Sequence, residues 1–208
     1  MSVSFYVVSA ICGNFYGESG VNPARVEIGV TITDLADPNQ YGGYGLGQWT
    51  NNPATGLVRR TNLINWLDDN GYSRDSGEGE MNFLVYENHW VRNYGSINSL
   101  TDFLNSDSTD VHELARIWWR NWEGIIPSQQ SQIDRINFAD NILPYLIEHY
   151  DDASINQWTA RDGYLTQTEM KNNSVLINRN LTGGIPPVPP TPHYTHRKMP
   201  IWMYLRRL

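Results

Sequence analysis

Apolar residues recur along this chain mostly at helical spacing. Residues 3 to about 16 are apolar on nearly every side, as in a helix buried at the centre of a domain. Residues 59–70 carry Leu63, Ile64, Trp66 and Leu67 at helical spacing and stop at Asn70-Gly71, a C-terminal signal. Residues 78–91 put Met81, Leu84, Val85 and Asn88 on one face, and residues 99–104 fit a short helix. The clearest stripe runs through Val111, Leu114, Ala115, Trp118, Trp119 and Trp122, a single helical face closed by Gly124 and Pro127. Residues 131–150 repeat it through Ile136, Ala139, Leu143, Leu146 and Ile147, with a kink expected at Pro144. Between the first two helices lies a loop from Gly20 to about Gly56, with a short hairpin expected around residues 28–33. Few segments alternate with period two, so the expectation is a mainly α domain over residues 1–160.

Beyond Asp151 the character changes. Residues 164–181 hold a capping box, Thr166 with Glu169, and an apolar side of Met170, Val175, Leu176 and Leu181. A helix over residues 161–182 is expected to complete the domain. Residues 183–192 form a Pro-rich, semi-rigid linker, and residues 193–208 a basic, aromatic tail suited to docking on another protein.

The 208 residues carry a formal net charge of −7, which argues against nucleic acid because phosphate recognition needs a basic face. The single cysteine, Cys12, cannot form an internal disulfide, and its apolar surroundings mark it as a packing residue. No stretch is long and apolar enough to span a membrane, and none resembles a secretory signal. The five histidines lack zinc-ligand spacing and no Gly-x-Ser-x-Gly elbow occurs, so no cofactor is expected.

The strongest chemical feature is Gly17-Glu18-Ser19-Gly20, at the end of the apolar helix. A carboxyl group there meets the core on one side and the negative end of a helix dipole. Both disfavour its charged form, as a general acid for glycoside cleavage requires. Taken alone, a solvated Glu before a Gly stop explains the motif as well. The second motif, Tyr41-Gly42-Gly43-Tyr44-Gly45-Leu46-Gly47-Gln48-Trp49, combines glycines that admit close backbone approach with an amide and aromatic faces suited to a sugar.

The segments 11–23 and 43–50 strongly resemble phage tail lysozymes, which share Glu-Ser and Gly-Leu-x-Gln landmarks with goose-type lysozymes and lytic transglycosylases. Residues 80–87 and 118–123 are similar to later helices of that family. The resemblance covers roughly residues 3–150. It implies a lysozyme-like α fold, Glu18 as the acid, and Tyr44, Gln48 and Trp49 lining a glycan cleft. The chain departs from the transglycosylases in lacking an Ala-Tyr-Asn-x-Gly motif. For a second carboxylate the candidates are Glu27, Asp34, Asp37 and Glu123, with Glu27 favoured as cleft-lining and Asp34 or Asp37 as water activator.

The implied protein is a virion-borne muramidase acting on the host's peptidoglycan to assist genome entry, with tail proteins as further partners. A lytic transglycosylase with the same Glu18, or a silent glycan-binding or structural module, remains open. Family members generally begin with a segment similar to residues 163–173, which here follows the domain. A circular permutation or the start of a second copy is therefore expected, with this helix packed on residues 3–15.

Overall fold

The computed structural model describes residues 3–149, so the expected helix at 161–182, the linker and the tail lie outside the described residues. The elements run α1 (Phe5–Ser19), β1 (Gly42–Tyr44), β2 (Trp49–Asn52), β3 (Leu57–Val58), α2 (Arg59–Asp69), α3 (Gly77–Glu87), α4 (Leu100–Leu104), α5 (Val111–Asn121) and α6 (Gln129–His149). The mainly α, lysozyme-like expectation therefore holds.

Helix α1 is the hub. Ser4 caps it by accepting a hydrogen bond from the Val7 amide at 3.3 Å. Gly20 ends it in the left-handed region, with φ of 65°. Between these ends Val7, Val8, Ala10, Ile11, Cys12 and Phe15 are fully buried, as an all-round apolar helix requires. Burial pushes the Cys12 thiol up to about 12, which leaves it an inert packing group.

Helices α5 and α6 pack on α1. The α6 seam is unusually close because α1 presents Ser9, Gly13 and Gly17 to it, one turn apart. A methyl group at Gly13 would lie 2.3 Å from the Arg135 carbonyl oxygen, and one at Gly17 would lie 2.6 Å from Arg135 Nε. Small residues here let the two backbones approach and bring Arg135 up to the end of α1. The buried face of α6 is Arg135, Ala139, Ile142 and Leu146. The expected stripe shared only Ala139 and Leu146 with it, since Ile136, Leu143 and Ile147 are half-buried at its flanks.

The sheet is small and antiparallel, in the order β1-β2-β3, with Gly43 opposite Thr50 and Asn51 opposite Val58. The hairpin expected at residues 28–33 is not formed, and Ile28 is 80% exposed. Its β-branched run lies outside the sheet, whose contact with this loop is a bridge between Val26 and Tyr44. The loop is fastened instead by Arg60, fully buried, which donates to the carbonyl oxygens of Leu35, Asp37, Gln40 and Gly42 at 2.7–3.0 Å. Helix α3 ends at Glu87, four residues short of expectation, because Asn88 takes a left-handed φ of 47°. Phe83 fills the core there, while Val85 is exposed.

Candidate active site

The Glu-Ser end of α1 and the Gly-rich turn after β1 meet over one aromatic corner. Phe15, one turn before Ser19, contacts Trp49 of β2 at 6.4 Å and Trp122, just past α5, at 6.2 Å between ring centroids. Trp49 and Trp122 meet edge to face at 5.6 Å. Burying each such ring contributes ~2–3 kcal/mol, so this corner is a rigid base. Gly47 stands directly on it: a methyl group there would lie 2.6 Å from Trp122 Cη2. Two motifs thirty residues apart in the chain are therefore neighbours in space.

Glu18 projects from the last turn of α1 with its side chain 21% exposed. The groups that hold it were not expected from the sequence. Arg135 of α6, 3% exposed, donates from Nη2 to Glu18 Oε1. Its Nη1 donates to Glu123 Oε1 at 2.9 Å and to the Asn14 carbonyl oxygen at 3.0 Å, and its Nε to Ser131 Oγ at 3.2 Å. Glu123, immediately after Trp122, has a side chain only 5% exposed. Burial first, then the neighbouring Glu18 charge, holds its carboxyl well above the ordinary range, against the opposing pull of Arg135. The acid expected to be set by apolar surroundings and a helix dipole thus sits in a cluster of two carboxyls and one guanidinium.

Signals for Arg135 and its partner did exist. Arg135 occupies a core position of the α6 stripe, and a charge on an apolar stripe needs a buried counter-charge. The small face of Ser9, Gly13 and Gly17 marks where a helix comes close.

The remaining expected residues are dispersed among structural duties. Trp49 is fully buried, and its indole N–H donates to Glu87 Oε2 at 3.0 Å, so it presents no face to a ligand. Tyr44 is also buried, its hydroxyl donating to the Arg74 carbonyl oxygen at 3.3 Å. Gln48, at a left-handed φ of 50°, donates from Nε2 to the carbonyl oxygens of Gly45 and Arg25 at 2.9 and 3.0 Å. Glu27 accepts from the Gly43 amide at 2.8 Å and is half-buried. Together these residues shape the turn. Asp34 accepts from the Ala36 amide and Asp37 from the Asn39 amide. That backbone hydrogen bond is the main reason the Asp37 carboxyl lies below its ordinary value.

A further residue escaped the sequence reading. Glu80 of α3 is fully buried beneath the turn and accepts from the Leu46 amide at 2.7 Å. Burial pushes its carboxyl well above the ordinary carboxylate range, against the pull of the Leu46 amide. Its place within a Glu-containing, otherwise apolar α3 was the available signal.

The model of the phage tail lysozymes matches residues 3–146. The chain belongs to the phage tail lysozyme family. The chain is also 30% identical over 132 residues to Morphogenesis protein 1 of Bacillus phage B103. That match takes in 61% of this chain and 32% of the relative, so the chain spans about a third of that protein. Among the described residues, no helix is long and apolar enough to cross a membrane.

Proposed function

We propose that this chain is a peptidoglycan-degrading glycosidase of a phage tail that cleaves the N-acetylmuramic acid–N-acetylglucosamine bond to assist genome entry. Glu18 is its general acid. The observation that carries the reading is the Glu18 carboxyl itself: partly exposed at the end of a buried helix, fixed by a buried arginine, and on the helix whose Phe15 lies against Gly47 of the Gly-rich turn. A general acid must reach substrate while keeping one geometry, and this placement supplies both. Glu18 gives its proton to the leaving glycosidic oxygen as the C–O bond breaks, and takes one back from the attacking hydroxyl. Glu27 and Gln48 support the reaction by holding the turn that would meet the glycan.

One observation favours ring closure within the muramic acid over attack by water. The second carboxyl next to Glu18 is Glu123, buried and bound to Arg135, whereas Glu27 is engaged by the Gly43 amide and Asp34 and Asp37 by their own turns. A two-carboxylate hydrolase needs its second group free at a diagnostic separation. Mass analysis of purified peptidoglycan after digestion tests both readings. Soluble muropeptides with reducing ends are the hydrolase result and anhydro ends the transglycosylase result. Glycan bound but not cleaved would overturn the enzymatic proposal in favour of a binding module.

A further inference from the structure

Glu123, a candidate second carboxylate and substrate-binding residue in the sequence, is buried against Arg135. We propose that Glu123 is a positioning residue for Glu18: its carboxyl offsets the Arg135 guanidinium, so that Glu18 and Glu123 hold one proton between them. This rests on Glu18 as the acid and deepens that reading.

Charge balance at Arg135 requires this shared proton. Arg135 touches both carboxyls through Nη1 and Nη2, and all three groups lie where α1, α5 and α6 converge. Facing Glu18 alone, a guanidinium would hold that carboxylate ionised and useless as an acid. Facing two ionised carboxylates, it would leave a net negative charge in a largely buried cluster, which is costly. One proton in the pair makes the cluster neutral. The Asn14 carbonyl oxygen takes the other Nη1 hydrogen and the Ser131 hydroxyl the Nε hydrogen, which fixes the arginine in place.

Other charges on the packed helices are engaged elsewhere. His112 of α5 pairs with Asp140 of α6, Glu113 pairs with Arg116, Arg120 lies over the Tyr94 ring, and Asp134 accepts from Gln130. Among the described residues, the charges acting on Glu123 are those of Glu18 and Arg135. In turnover the proton leaves from Glu18, the exposed member, while Glu123 stays out of contact with substrate.

Glu123→Gln keeps the shape and removes the charge. Its cell-wall lysis should retain activity at low pH, with the alkaline limb of the pH profile displaced toward acid by about one to two units. Glu123→Asp, which keeps the charge, should leave that limb near its original position. Activity lowered equally at every pH, with the limb unmoved, would mean that Glu123 only packs and would overturn the proposal. A measurement on the unmutated full chain covers a variant that fails to fold. With carbon-13 in the glutamate carboxyls, Glu18 and Glu123 should titrate together in two shared steps, one proton remaining on the pair at neutral pH. Independent titrations, or two ionised carboxyls at neutral pH, would overturn it. This readout needs no substrate, so it fails or succeeds separately from the glycosidase reading, which Glu18→Gln tests.

Discussion

Arg60 and Arg135 are both buried guanidiniums, yet their partners differ in kind. Arg60 donates to four neutral carbonyl oxygens of one loop, and burial lowers its pKa from the usual arginine value. Arg135 joins three helices' ends through two carboxyls, a carbonyl and a hydroxyl. The buried glutamates divide the same way. Glu80 holds a turn through one backbone amide, whereas Glu123 shares its guanidinium with the partly exposed Glu18. The loop side thus spends its buried polar groups on shape, one task each. The helix side brings two carboxyls onto one guanidinium.

The largest effect expected from breaking this division is at Arg60. Arg60→Met leaves four carbonyl oxygens without their donor, and hydrogen bonds to charged groups contribute ~1.5–3 kcal/mol each. Denaturant melts should show a loss of at least about 3 kcal/mol and a loosened 35–42 loop; a loss under about 1 kcal/mol would show the loop to be held by other contacts. Next comes Gly47→Ala, which forces a methyl group against Trp122. It should cost about 1–3 kcal/mol by overpacking and lower lysis, because it lifts the turn from the corner that carries Glu18. Unchanged lysis would separate the turn from the site.

The smallest effect is expected at Glu80, in acid. Its raised carboxyl pKa means that the folded chain keeps a proton which the unfolded chain loses above about pH 4.5. Stability from this group is therefore fully present below that pH and falls as pH rises toward the folded value. Glu80→Gln, always neutral, should match the parent within about 1 kcal/mol near pH 4 and lose less stability than the parent as pH rises above that. An identical slope in both proteins would show Glu80 to be ionised.

Much of the helical frame was legible from periodicity, because α1, α2 and α5 place their apolar residues where burial demands them. The position of Glu18 in the last turn of an apolar helix was legible too. The misplaced hairpin shows a limit: β-branched residues at 30–33 mark strand propensity, but a strand also needs an edge to pair with. Trp49 shows another, since an aromatic residue beside glycines serves a core as readily as a sugar. Arg135 lies 117 residues from Glu18, and their meeting depends on helix packing that no local pattern encodes.

The central claim is that the Glu18 carboxyl, held by Arg135, protonates the glycosidic oxygen. Purified peptidoglycan should be incubated with the parent chain and with Glu18→Gln, checked for equal thermal stability, and the released muropeptides quantified. The account predicts a fall of about 10²–10⁴-fold in the rate of release, the usual contribution of a general acid, with folding retained. A folded variant that releases muropeptides within about tenfold of the parent would contradict it.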